Sequence, residues 1–153
     1  MDHTLISQEP FTVIGMSERI DPSQPEAIGQ HWENFRNQDI KSSLDKRFND
    51  DVWAVYYQYE GDHTQPYRML LGYRVPDGTP IPEGLAACKV PESYYALYIA
   101  QGPMPACIED TWNTVYKADL DRTYKADFEV YGRFAQDPKD VEVPIYVGIK
   151  VDF

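Results

Sequence analysis

One order of elements occurs twice along this chain of 153 residues, and the repetition limits the folds open to it. A strand-like run opens each half: FTVIGMS at 11–17 and SYYALYIA at 93–100. An amphipathic segment follows each. The first begins Ser23-Gln24-Pro25-Glu26, the pattern of a capping box with proline in the first turn. Its apolar stripe is Ile28, Trp32 and Phe35; that of the second, after Pro103 and Pro105, is Ile108, Trp112, Val115 and Tyr116. Side chains three and four apart share a helix face, so the spacing predicts two helices. Both carry Ile-x-x-x-Trp.

The strands after the helices match as well. WAVY at 53–56 aligns with FEVY at 128–131, and Gly72 of LLGYRV aligns with Gly148 of YVGIKV. Such matches in one order predict a duplicated β-α-β-β unit, with repeat 1 at about 8–76 and repeat 2 at about 88–153 of one domain spanning 1–153. PDGTPIPEGLA (76–86) reads as the linker, IKSSLDKRFND (40–50) as a short extra helix and GDHTQP (61–66) as a hairpin turn. Two fused units give an α+β architecture, a mostly antiparallel sheet with helices on one face.

Alternation places Phe128 and Val130 on one face of their strand, and Glu129 and Tyr131 on the other. Glutamate is depleted in strands and is almost never fully buried without a partner. The matched position in the first half is Ala54. Two readings are open: a solvent-facing or edge position where the charge costs nothing, or a carboxylate placed for function. A single charge on a symmetric frame, flanked by Tyr131 and Tyr56, favours the second.

Composition narrows the function classes. Hydrophobic residues make up 42% and aromatics 14%, so the chain can build a core. Twelve of the aromatics are tyrosine, which fits either sheet packing or a groove for a flat or cationic ligand. The net charge of −11 opposes nucleic-acid binding and modestly favours cationic partners. No apolar stretch nears the roughly 20 residues of a membrane span, and MDHTLISQEP lacks the pattern of a signal peptide. A cytoplasmic protein without membrane contact is expected. Cys88 and Cys107 are compatible with a disulfide, but free thiols fit a reducing compartment better.

Several chemistries find no motif. The chain lacks GxGxxG, GxxxxGK[ST], GxSxG and HExxH, and His3, His31 and His63 form no metal set with the cysteines. Neither a cofactor nor a metal is expected. Glu60, Asp62 and His63 fit a solvated hairpin tip better than an ion site.

The run YYQYEGDHTQPYRMLLGYRV (56–75), the Ile-x-x-x-Trp helices and the FEVY strand resemble the GyrI-like family, the effector-binding domain also found in AraC-type and MerR-type drug-responsive regulators. The similarity extends from about Phe11 to Val151 and rests on the order of motifs. It implies two βαββ repeats about a pseudo-twofold with a ligand groove at their junction. In many members that groove takes lipophilic cations such as dyes, antiseptics and drugs, paired with an acid on a late strand; Glu129 matches that acid. Alternation and the family groove together give a candidate lining of Tyr131, Tyr56, Tyr146, Trp112, Trp32 and Gly148, with Tyr94 and Tyr98 further off.

Family regulators carry a helix-turn-helix domain, for which this chain has no room. The resemblance therefore implies a free-standing module for small cationic or amphipathic aromatics, with no direct nucleic-acid contact. A separate DNA-binding regulator or gyrase is the protein partner it leaves open. Two other functions accompany it. One is a hydrolase of electrophilic small molecules, with Glu129 as general base and Tyr131 or Tyr146 as proton donor. The other is a gyrase-inhibitor-type interaction module.

Overall fold

Strand alternation and the two helical stripes set the local structure. The structure, a computed structural model, describes residues 2–152. Strands β1 (Thr4–Gln8) and β2 (Phe11–Ile20) lead into helix α1 (Glu26–Arg36), followed by β3 (Val52–Tyr57) and β4 (Tyr67–Val75). Strands β5 (Ala86–Val90) and β6 (Ser93–Gly102) lead into α2 (Ala106–Lys117), followed by β7 (Arg122–Tyr131) and β8 (Val141–Ile149). Each half thus has one strand more than the predicted unit, because β1 and β5 precede it.

Three local expectations meet the structure differently. The capping box does not form: Pro25 takes the cap position, and the Ser23 hydroxyl donates to Asp21 Oδ1 at 2.8 Å instead. Aspartate and serine this close satisfy each other before they reach the helix. The extra helix shrinks to one 3-10 turn, Lys41–Ser43, flanked by the buried Ile40 and Leu44. The hairpin turn at 61–66 does form, closed by the Glu60 N–H to the Pro66 carbonyl at 2.9 Å.

All the strands join one antiparallel sheet in the order β1-β6-β8-β7-β3-β4-β2-β5. Exchanging the halves maps this order onto its own reverse. Across the central β3–β7 pair, Ala54 lies directly opposite Glu129, with Trp53 opposite Val130 and Val55 opposite Phe128. The WAVY–FEVY alignment makes Ala54 and Glu129 equivalents, so the pseudo-twofold passes through that pair.

The connections then force the sheet to curl. Only two residues separate Gln8 of β1 from Phe11 of β2, a reach of about 10 Å. In a flat sheet those strands, six positions apart, would lie about 29 Å from each other. The same holds for Val90 of β5 and Ser93 of β6. Both crossings sit at one end of the sheet, where Gln8 pairs with Ser93 and Phe11 with Val90. Each half therefore lends its first strand to the other half's edge.

Curling divides the core by face. On the inner face, Phe11, Trp53, Tyr95, Phe128 and Tyr146 pack with Val13, Val55 and Leu70. On the outer face α1 packs over one half through Phe35, Ile28 and Trp32, and α2 over the other through Val115, Ile108 and Trp112. Cys88 belongs to the inner cluster and Cys107 to the outer one, and both are free thiols. Gly15 and Gly72 face each other across β2 and β4, where a Cβ on either would lie 2.0 Å from a backbone oxygen.

Candidate functional site

Alternation along β7 turns Asp127, Glu129 and Tyr131 toward the helices, and the register brings Tyr56, Ala54 and Val52 opposite them on β3. Glu129 is 1% exposed, which settles the sequence-level choice: it is not a solvent-facing charge. Three neutral groups hold its carboxylate. Trp112 Nε1 donates to Oε2 at 2.6 Å, the Tyr56 hydroxyl to Oε2 at 3.0 Å and the Tyr131 hydroxyl to Oε1 at 2.7 Å. Among the described residues no lysine, arginine or histidine forms an ion pair with it.

The electrostatics follow from that isolation. Burial pushes the Glu129 carboxyl above the usual carboxylate range, while hydrogen bonds from Trp112, Tyr131 and Tyr56 pull the other way. Burial and then the neighbouring carboxylate hold the Tyr56 and Tyr131 hydroxyls well above the usual phenol range. Both phenols are therefore donors throughout the accessible pH range.

The rings around Glu129 keep the pseudo-symmetry that the acid breaks. Trp32 of α1 meets Tyr131 edge-on at 4.9 Å between centroids, and its counterpart Trp112 of α2 meets Tyr56 at 5.5 Å. Tyr67 extends the wall, 5.6 Å from Tyr56. These five rings are half-buried, whereas the carboxylate beneath them is buried. Alanine at position 54 leaves the acid the space between the helices.

A second buried carboxylate lies one strand period away. Asp127, 0% exposed, accepts from Arg122 Nη2 at 2.8 Å, from the Gly148 N–H at 2.7 Å and from the Tyr59 hydroxyl. The Arg122 guanidinium stacks over Tyr124 at 4.4 Å and reaches the Trp112 ring at 5.7 Å. The sequence reading missed this network. Its one available signal was Asp127 itself, two residues before Glu129 and hence on the same face. The contrast matters, since among the described residues Asp127 has its cation and Glu129 has none.

Of the anticipated lining, Tyr131, Tyr56 and Trp112 touch Glu129, and Trp32 joins through Tyr131. Tyr146 and Gly148 do not come to the acid. Tyr146 pairs with Phe128 across β7 and β8 and stacks on its ring at 4.5 Å, on the inner face. Gly148 serves chain packing, since a Cβ there would lie 2.7 Å from the Ala126 carbonyl. Tyr98 is in the core beneath α2, and Tyr94 lies exposed on β6.

A curled antiparallel sheet with two helices on its outer face is the architecture of an effector-binding domain. Residues 4–149 match the family described as Cass2, integron-associated effector binding protein, and the chain belongs to that family. It is 29% identical over 157 residues to the transcriptional regulator BrlR of Pseudomonas aeruginosa, covering 96% of this chain and 55% of BrlR. It is 27% identical over 144 residues to the putative transcriptional regulator YobU of Bacillus subtilis, covering 89% of this chain and 90% of YobU. Among solved structures, an integron cassette protein from the Vibrio cholerae mobile metagenome superposes with a TM-score of 0.73 at 25% identity over 95% of both chains. SAV2435 bound to tetraphenylphosphonium superposes at 0.77 with 16% identity, over 98% of this chain and 94% of the other, a likeness of fold.

Proposed function

We propose that this chain binds lipophilic aromatic cations between α1 and α2, with Glu129 as counter-ion, and acts as a sensor or sequestering module. The observation that carries the reading is a buried carboxylate with ring neighbours and, among the described residues, no cationic partner. Burying a charge costs several kcal/mol, and neutral donors offset only part of it. A delocalised cation supplies the missing charge with little desolvation of its own. Each cation–π contact adds roughly 0.5–2 kcal/mol as water leaves.

The half-buried rings of Trp32, Tyr56, Trp112 and Tyr131 form the boundary through which a ligand would reach Glu129. Rotating them aside opens the acid, so the site selects charge and flatness more than outline. That SAV2435, with the same fold, is bound to tetraphenylphosphonium supports this choice of ligand class. Kinship with the transcriptional regulators BrlR and YobU supports a role beside or within a regulator.

A matched series of ligands tests the proposal: tetraphenylphosphonium, uncharged triphenylphosphine oxide and the anion tetraphenylborate. At 100 times Kd the cation adds about 2.7 kcal/mol to the folded state. For a domain of this size that raises Tm by roughly 5–10 °C. An equal rise with the borate or the oxide would refute a charge-selective site.

A further inference from the structure

We propose that the inner face carries a second ligand site, for aromatic carboxylates, built on Arg74 and Trp53. It is independent of the Glu129 site. Trp53 adjoins Ala54 in β3, so alternation sends it to the inner face while Ala54 backs the acid. Its strand partner is Gly72. Arg74, two residues beyond Gly72, lies on the same face.

There the guanidinium sits among three rings, 5.3 Å from the centroids of Phe11 and Phe48 and 5.8 Å from Trp53. The loop that brings Phe48 is tied to this strand by the Phe48 N–H, which donates to the Arg74 carbonyl at 3.0 Å. Phe48, Asn49, Trp53 and Arg74 line a cavity of about 270 Å³.

The polar atoms of this cavity are unbalanced in one direction. Trp53 Nε1 and Arg74 Nε are buried with no acceptor. Arg74 has no carboxylate in ion-pair range among the described residues. Asp77, whose charge Arg74 also feels, is engaged by the Thr12 hydroxyl at 2.7 Å and by Lys89 at 3.6 Å. Asn49 Oδ1 already accepts from the Asp51 N–H at 3.0 Å, so its amide NH₂ is a further donor.

Three kinds of donor belong to the residues that line the cavity, and the acceptors of Asn49 and Asp77 are engaged elsewhere. The group that satisfies them is acceptor-only and negative, and a planar carboxylate matches the guanidinium fork. Phe48, 59% exposed, and the indole give the rest of the ligand a flat apolar surface. An aromatic monocarboxylate combines both requirements. The rings also hold the guanidinium in place before the ligand arrives, which limits the ordering cost of binding.

The test follows the indole N–H resonances of ¹⁵N-labelled protein titrated with 2-naphthoate, Trp53→Phe identifying the Trp53 signal. The expected result is a saturable shift of Trp53 Nε1–H, with Trp32 and Trp112 unmoved and naphthalen-2-ylmethanol inert. Arg74→Gln should weaken binding by about tenfold or more, as for a lost charge-assisted pair. Arg74→Lys keeps the charge without the fork and should weaken it less. If Arg74→Gln does not fold, Arg74→Lys decides, and undiminished affinity there overturns the proposal. So does a Trp53 signal that stays still up to the solubility limit, or one that moves equally with the alcohol.

Discussion

Replacing Glu129 with glutamine removes one full charge from its buried site and almost nothing else. The amide has the same volume, and its carbonyl can still accept from Trp112 or a tyrosine. The groups that hold the carboxylate lie 2.6–3.0 Å from it and belong to the rings on which a cation would stack. A cation centred on those rings would come within about 5 Å of the carboxylate, worth roughly 3 kcal/mol at an effective dielectric near 20. Three donors already spread that negative charge, so about half should reach the ligand. The variant should then bind tetraphenylphosphonium about tenfold more weakly, since each 1.4 kcal/mol is tenfold in Kd. Triphenylphosphine oxide, which shares the apolar contacts, should lose much less or gain. Isothermal titration of both ligands with both proteins gives a ratio of ratios that cancels general loosening of the fold. A ratio near one would mean that burial and ring contact account for all the affinity, and Glu129 would lose its assigned role.

The same carboxyl sets a pH signature. Its folded-state value is raised above 4.5, so cation affinity should be full well above the raised value and decline as pH falls through it; a titration flat from neutral to pH 4.5 would contradict this. In the ligand-free protein this group's contribution to stability is greatest below 4.5 and is lost as pH rises through the raised value, a slope that Glu129→Gln should remove from urea melts taken across that window. Asp127→Asn leaves Arg122 buried without its partner and should cost about 3–5 kcal/mol in denaturant unfolding; under 1 kcal/mol would show the pair to be dispensable. Gly72→Ala sets a Cβ 2.0 Å from the Ile14 carbonyl oxygen and should cost 3 kcal/mol or more, about the upper range for overpacking, read as a drop in Tm.

Much of the site was legible because its geometry depends on local periodicity and on the repeat. Matching WAVY with FEVY makes Ala54 and Glu129 equivalents, and equivalents on central antiparallel strands meet at the axis. The Ile-x-x-x-Trp helices likewise deliver Trp32 and Trp112 as a related pair. Tyr146 escaped because its face depends on the register of β8 against β7, a non-local quantity that alternation within β8 cannot supply. The network of Arg122, Asp127 and Tyr59 escaped because it joins residues across a bulge in β7 and from beyond β3. β1 and β5 are five residues each, too short to show a period, and their partners lie in the opposite half.

That trade of β1 and β5 has a bearing on the lone acid. Two separate copies of either half, swapping edge strands in the same way, would form a homodimer whose axis is crossed by identical residues. The second half would set two glutamates face to face and the first two alanines, so the centre would hold two charges or none. Like charges directly across a strand pair repel. Two identical halves cannot differ at their axis, so a singly charged centre depends on halves that carry different residues there, as Ala54 and Glu129 do in this fused chain.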